Sequence, residues 1–106
     1  MNIENFYKYF LKKIELKIKK KKKINVMVTG GKSITKLYHY INTNLSRELY
    51  KKINFFITDE RLFTHVKNTN SYMVKKNLFK GINQSNYKIF EFAQKNLNMF
   101  ENLYNY

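Results

Sequence analysis

The stretch from Ile24 to Lys36, INVMVTGGKSITK, restricts the fold more than any other part of the chain. Ile24, Val26, Met27 and Val28 form the apolar run of a strand buried in a parallel sheet, where alternation is lost because both faces are covered. Gly30 and Gly31 follow. Glycine reaches positive φ and lets a ligand approach the backbone closely. Ser33 is placed to cap a helix opening there, and Ile34, Leu37, Ile41 and Leu45 continue at helical spacing. A helix N-terminus carries N–H groups without intrahelical partners and the positive end of the dipole. Strand, glycine turn and helix in this order predict an anion site at Gly31 to Ser33.

The next apolar run, Ile53 to Thr58, is rich in β-branched and aromatic residues and ends directly in Asp59, Glu60 and Arg61. A helical pattern between two apolar strands is a βαβ unit, so the strands should run parallel. Ligands of such sheets bind beyond the carboxyl ends of the strands. The glycine loop and the acidic-arginine triplet are therefore expected to face one crevice. Upstream, Ile3, Tyr7, Phe10, Ile14 and Ile18 make one apolar stripe on a basic helix. Lys19 to Lys23 then read as its solvated end, where cations suit the dipole. Downstream, Leu62 to Asn68 reads as a loop, and Asn70 to Leu78 as a short helix packing through Met73, Val74 and Leu78. Gly81 to Asn86 is a turn-rich link, Tyr87 to Phe90 a third strand, and Ala93, Leu97, Phe100 and Tyr104 mark a final helix. No linker or internal repeat divides the 106 residues, which suits one domain.

Composition removes several classes of function. Without cysteine there is neither a disulfide framework nor a cysteine zinc site. No apolar run reaches spanning length and the first residues lack a signal-peptide core, so a cytoplasmic protein without a membrane partner is expected. The net charge of +14 comes almost wholly from scattered lysines, with Arg47 and Arg61 the arginines. Base readout uses arginine, asparagine and glutamine at chosen positions, so no specific nucleic-acid partner is expected. The abundance of Lys, Asn, Ile, Tyr and Phe fits an AT-rich coding sequence.

VTGGKSITKLYHYI, FFITDERLF and NTNSYMVKKNLF together resemble the first half of the family formed by 6-phosphogluconolactonase and glucosamine-6-phosphate deaminase. That family has a strand, Ser-Gly-Gly-Ser-Thr-Pro, Leu-Tyr in the helix, a strand ending Asp-Glu-Arg, and Ser-Asn opening the next helix. Here the blocks fall on Thr29 to Ile34, Leu37-Tyr38, Asp59 to Arg61, and Thr69-Asn70. Arg61 favours the lactonase branch, because the deaminases usually carry tyrosine there. The resemblance implies an α/β domain: a Rossmann-like parallel sheet, with three strands expected and flanking helices, as a partial version of the family domain over residues 1–106.

The implied reaction is hydrolysis of 6-phosphoglucono-1,5-lactone, with a phosphorylated sugar lactone as partner and neither cofactor nor metal. The implied binding set is Thr29, Gly30, Gly31, Lys32, Ser33, Asp59, Glu60, Arg61 and Asn70, with Asp59 and Arg61 supporting catalysis. Asn70 also reads as a helix N-cap, Tyr38 as a core residue and His39 as a helix-surface residue. The sequence departs from the family pattern at Lys32, Ser33 and Ile34, which stand for serine, threonine and proline. Family members also carry a second half with a Gly-x-Gly-x-Asp-Gly-His segment whose histidine activates water. His39 and His65, the histidines here, lie in no such context. A complementary C-terminal half or self-association is the partner expectation, and a non-catalytic sugar-phosphate-binding remnant is the competing one. Gly31-Lys32-Ser33 also imitates a nucleotide P-loop, but Val26 stands where that motif needs its first glycine.

Overall fold

The structure is a computed structural model, and it describes residues 2–58 and 69–90. Helix α1 (Ile3–Lys21) opens the chain, with Asn2 as N-cap accepting from the Asn5 N–H at 2.9 Å. Its first turn holds Glu4 and its last Lys19, Lys20 and Lys21, the charge order that complements a helix dipole. The helix stops at Lys22, which takes φ +67° and returns its N–H to the Ile18 carbonyl. Strand β1 (Ile24–Val28) follows, then α2 (Thr35–Asn44), the single-turn α3 (Arg47–Tyr50), β2 (Ile53–Ile57), α4 (Asn70–Leu78) and β3 (Lys88–Phe90). The final helix expected over Ala93 to Tyr104 and the loop at Leu62 to Asn68 lie outside the described residues.

The three strands are parallel in the order β1-β2-β3, with Val28 opposite Ile57 and Phe55 opposite Ile89. Both crossovers therefore advance in the same direction across the sheet. Crossovers of one hand then place α2 and α4 on the same face, where they pack against each other, and α1 joins α2 and β1 there. Tyr7, Leu11, Ile14 and Ile18 of α1 share one core with Leu37, Tyr38 and Ile41 of α2, Ile53 and Phe55 of β2, and Val74 and Leu78 of α4. Leu11 is also buried on this stripe, and Ile3, expected on it, is exposed.

The two-sided burial expected for β1 does not occur. Burial alternates along it, and Asn25 and Met27 face outward, Met27 at 76% exposure. The register continues that outward row through Asn54 and Phe56 of β2 to Lys88 and Phe90 of β3. All the described helices that pack on the sheet lie on its other face, so the continuous apolar run reflects two faces of different fate.

The far end of the core is closed by polar contacts to the end of α4. Buried Asn42 donates through Nδ2 to the carbonyls of Leu78 at 3.0 Å and Lys80 at 2.9 Å. The Tyr50 hydroxyl donates to the same Leu78 carbonyl at 2.9 Å, so the buried carbonyl that ends α4 is satisfied. No described helix is long and apolar enough to cross a membrane.

Burial pushes the Tyr50 phenol up to about 12, against a smaller opposing pull from Arg47. The ordinary value is about 10, so the protonated form is the one the fold favours. Its contribution is complete below about pH 10 and is lost as pH rises toward the folded-state value. Urea midpoints should accordingly fall between pH 10 and 12, and the fall should be shallower in Tyr50→Phe. An equal slope in the two proteins would contradict this.

Candidate functional site

The parallel register sets the carboxyl ends of β1 and β2 side by side. Thr58 donates both its N–H, at 3.0 Å, and its hydroxyl, at 3.2 Å, to the Val28 carbonyl, so the chain leaves the two strands at one level. Thr29 to Ile34 make the loop leaving β1, as the sequence predicts. Asp59, Glu60, Arg61 and His65 lie outside the described residues.

Tyr38 fixes the start of the loop. Its hydroxyl accepts from the Thr29 N–H at 2.9 Å and donates to the Thr29 carbonyl at 2.6 Å. One buried side chain of α2 thus satisfies both backbone groups of the residue that follows β1. Burial holds its phenol above the ordinary value, offset in part by the Thr29 hydrogen bond. The expectation of a core residue holds, since Tyr38 is 4% exposed. Its hold on the loop goes beyond that expectation. The signal available was its position: one turn into a helix that begins just after a glycine pair.

The glycines serve different ends. Gly30 lies against α4: a Cβ built on it would collide with the side-chain amide of Asn70, and even Asn70 Cβ would be 3.0 Å away. Only a residue without a side chain lets the loop approach the start of α4 this closely. Gly31 adopts φ +122°, and a Cβ there would meet nothing within 4 Å. Glycine is needed there for the backbone, and the space beside it is open.

Two capping expectations are corrected. Ser33 does not cap α2, because the chain is already turning through residues 32–34 and Ile34, with helical φ and ψ, occupies the N-cap position without a side-chain bond. Thr35 does the tying instead, with its hydroxyl donating to the Gly31 carbonyl at 3.2 Å and contacting the Met73 sulfur at 3.6 Å. At α4 the cap is Thr69, which accepts from the Tyr72 N–H at 3.2 Å, and Asn70 is the first helical residue. Asn70 is therefore not the cap, and its side chain lies against Gly30.

Thr29, Gly31, Lys32 and Ser33 are exposed. Among the described residues no hydrogen bond engages the N–H groups of Gly31, Lys32 or Ser33. These donors stand at the start of a ten-residue helix, α2, at the carboxyl end of a parallel sheet. Such an arrangement presents backbone donors and a positive dipole end to an anion. His39 is exposed and lines a groove between α1 and α2 with Lys8 and Lys36.

The two glycines should respond differently to substitution. Gly30→Ala should destabilise by about 1–3 kcal/mol through overpacking, and Asn70→Ala should restore part of that loss in the double variant. Gly31→Ala should cost about 1–3 kcal/mol through backbone strain, with no such rescue. Urea denaturation of the four variants measures this; equal coupling of Asn70 to both glycines would refute it.

Comparison with known proteins places the chain. The family described as glucosamine-6-phosphate isomerases/6-phosphogluconolactonase matches residues 2–106. Among solved structures, the 6-phosphogluconolactonase of Shewanella baltica is similar at TM-score 0.67 and 19% identity, covering 97% of this chain and 46% of its own. That of Leishmania guyanensis gives 0.66 and 19%, covering 89% of this chain and 37% of its own. That of Thermotoga maritima gives 0.62 and 21%, covering 93% and 49%. At such identities the likeness is one of fold, and the chain spans less than half the length of each. No curated protein matches the chain.

Proposed function

We propose a function from one premise: the chain belongs to the glucosamine-6-phosphate isomerase and 6-phosphogluconolactonase family. Within that family it supplies the sugar-phosphate-binding half of a 6-phosphogluconolactonase-type hydrolase. In the reaction, water adds to the lactone carbonyl carbon, the ring carbon–oxygen bond breaks, the ring oxygen takes a proton, and 6-phosphogluconate results. Such chemistry needs a phosphate anchor, a base for water and stabilisation of charge on the carbonyl oxygen. The observation that carries the reading is the exposed loop at the head of α2, held by Tyr38 and lying against Asn70.

The roles divide as follows. The N–H groups of Gly31, Lys32 and Ser33 hold the phosphate, with the hydroxyls of Thr29 and Ser33 as further donors and the Lys32 ammonium as a cation. Arg61 orients phosphate or product carboxylate through its planar fork of donors. Asp59 and Glu60 order Arg61 or accept from sugar hydroxyls. Asn70 positions Gly30. Water activation is the missing part, because His39 lines the groove between α1 and α2 and His65 lacks the family's histidine context. Loss of a general base costs about 10²- to 10⁴-fold in rate, so the isolated chain binds the sugar phosphate and turns it over poorly.

Titration with 6-phosphogluconate, followed by amide NMR, should shift Gly31, Lys32, Ser33 and Arg61. Shifts confined to Lys19–Lys23 would show charge binding alone and overturn the assignment. A lactonase assay on the same protein should give no rate above spontaneous hydrolysis; strong turnover would make His65 the first residue to replace.

A further inference from the structure

The lysines that look scattered along the sequence are concentrated by the fold. Of the 21 Lys and Arg residues, nine fall between Lys8 and Lys23, where Glu15 is the one acidic residue. Tyr7, Leu11, Ile14 and Ile18 turn one side of α1 into the core, so the residues half a turn away face solvent. Tyr9, Lys12, Lys13, Leu16, Lys19 and Lys20 recur along that side at three- and four-residue spacing, and all are exposed. Two of them are large and apolar, Tyr9 at 55% exposure and Leu16 at 57%. Lys13 folds back on Tyr9, its Nζ 5.4 Å from the ring centre and donating to the hydroxyl at 3.3 Å. Among the described residues no ion pair engages these lysines.

Such a stripe suits a partner that is anionic along its length and also receives apolar side chains. From Tyr9 to Lys20 the stripe runs about 17 Å, at about 1.5 Å per residue. The surface of an acidic bilayer meets both demands. It is negatively charged and laterally extended, and its headgroup level accepts tyrosine and leucine beside lysines that reach lipid phosphates. A nucleic acid answers the charge alone. Its backbone offers no counterpart to Leu16, and α1 lacks the arginine that favours bidentate phosphate contact. A second copy would set like charge against like. The expectation of no membrane partner rests on spanning length, which bears on crossing a bilayer and not on lying against one.

We propose that the outward stripe of α1 seats the protein on an anionic lipid surface. The helix lies in the plane of the interface, with Tyr9 and Leu16 at headgroup level. Lys12, Lys13, Lys19 and Lys20, with Lys21 to Lys23 beyond them, meet the lipid phosphates and carboxylates. The inference is independent of the sugar-phosphate reading of the glycine loop, which uses none of these residues.

The test is co-sedimentation of the full chain with phosphatidylcholine vesicles, with and without phosphatidylserine. Binding is expected with phosphatidylserine alone and should fall as salt is raised. Lys12→Glu combined with Lys13→Glu should weaken it by more than about tenfold. Lys76→Glu combined with Lys80→Glu makes the same charge change at exposed positions at and beyond the end of α4, and should leave binding within about twofold. The chain has no tryptophan, so Leu16→Trp reports the contact directly. Its emission should move to the blue on the phosphatidylserine vesicles, and this variant keeps an apolar residue where the charge-reversed pair could lose its helix. Absence of sedimentation with phosphatidylserine overturns the proposal. Equal loss of binding in the two charge-reversed pairs does so too, since net charge alone would then be responsible, and so does an unmoved emission of Leu16→Trp. A DNA duplex that binds the chain more tightly than the vesicles would make a nucleic acid the partner, and would overturn it as well.

Discussion

The constraint on which the rest depends is the handedness of consecutive crossovers. Three parallel strands laid down in order, with α2 and α4 in the connections between them, leave one face for those helices. That face becomes the core, with Val74 and Leu78 of α4 almost fully buried against α2 and the sheet. Burial of side chains of this size contributes about 1.5–3 kcal/mol each. Among the described residues no helix packs on the opposite face, where Met27 and Phe90 are exposed. The carboxyl ends of β1 and β2 are brought level by the same constraint, and the glycine loop is placed there as a result.

The loop is shaped by contacts from three directions. Tyr38 clamps Thr29 from within α2, Thr35 ties the Gly31 carbonyl, and Asn70 closes on Gly30 from α4. None of these contacts uses a charge, so the positive character of the loop comes from backbone donors and the helix end, with Lys32 adding to it. Among these contacts the one that titrates is the phenol of Tyr38, which burial holds above its ordinary value.

Much of this was legible in the sequence because it depends on local order. The two apolar runs, the glycine pair between them and the helix-spaced residues that follow fixed the βαβ unit and its parallel strands. Ile53–Ile57 and Asn70–Leu78 fall within a residue of where their patterns put them. What could not be read depends on distant neighbours. Two-sided burial of β1 was inferred from an unbroken apolar run, yet composition cannot say whether a second layer is present. Ser33 is a good cap by residue type, but the turn through residues 32–34 carried the helix start past it. Asn70 was read as a cap because it opens a helical pattern, and Thr69 one residue earlier has the better geometry. The stripe predicted through Ile3, Tyr7, Phe10, Ile14 and Ile18 leaves out Leu11, which is buried, and includes Ile3, which is exposed.

Among the described residues, the contacts that shape the loop come from the covered face: Tyr38 and Thr35 belong to α2, and Asn70 belongs to α4. The stacked Phe56–Phe90 pair and Met27 lie on the sheet's other face. A substitution in one set therefore reaches the other only through the strands between them. Met27 is next to Val28, whose carbonyl holds Thr58, and Thr29 follows directly. That short run of β1 is the physical path between the open face and the loop.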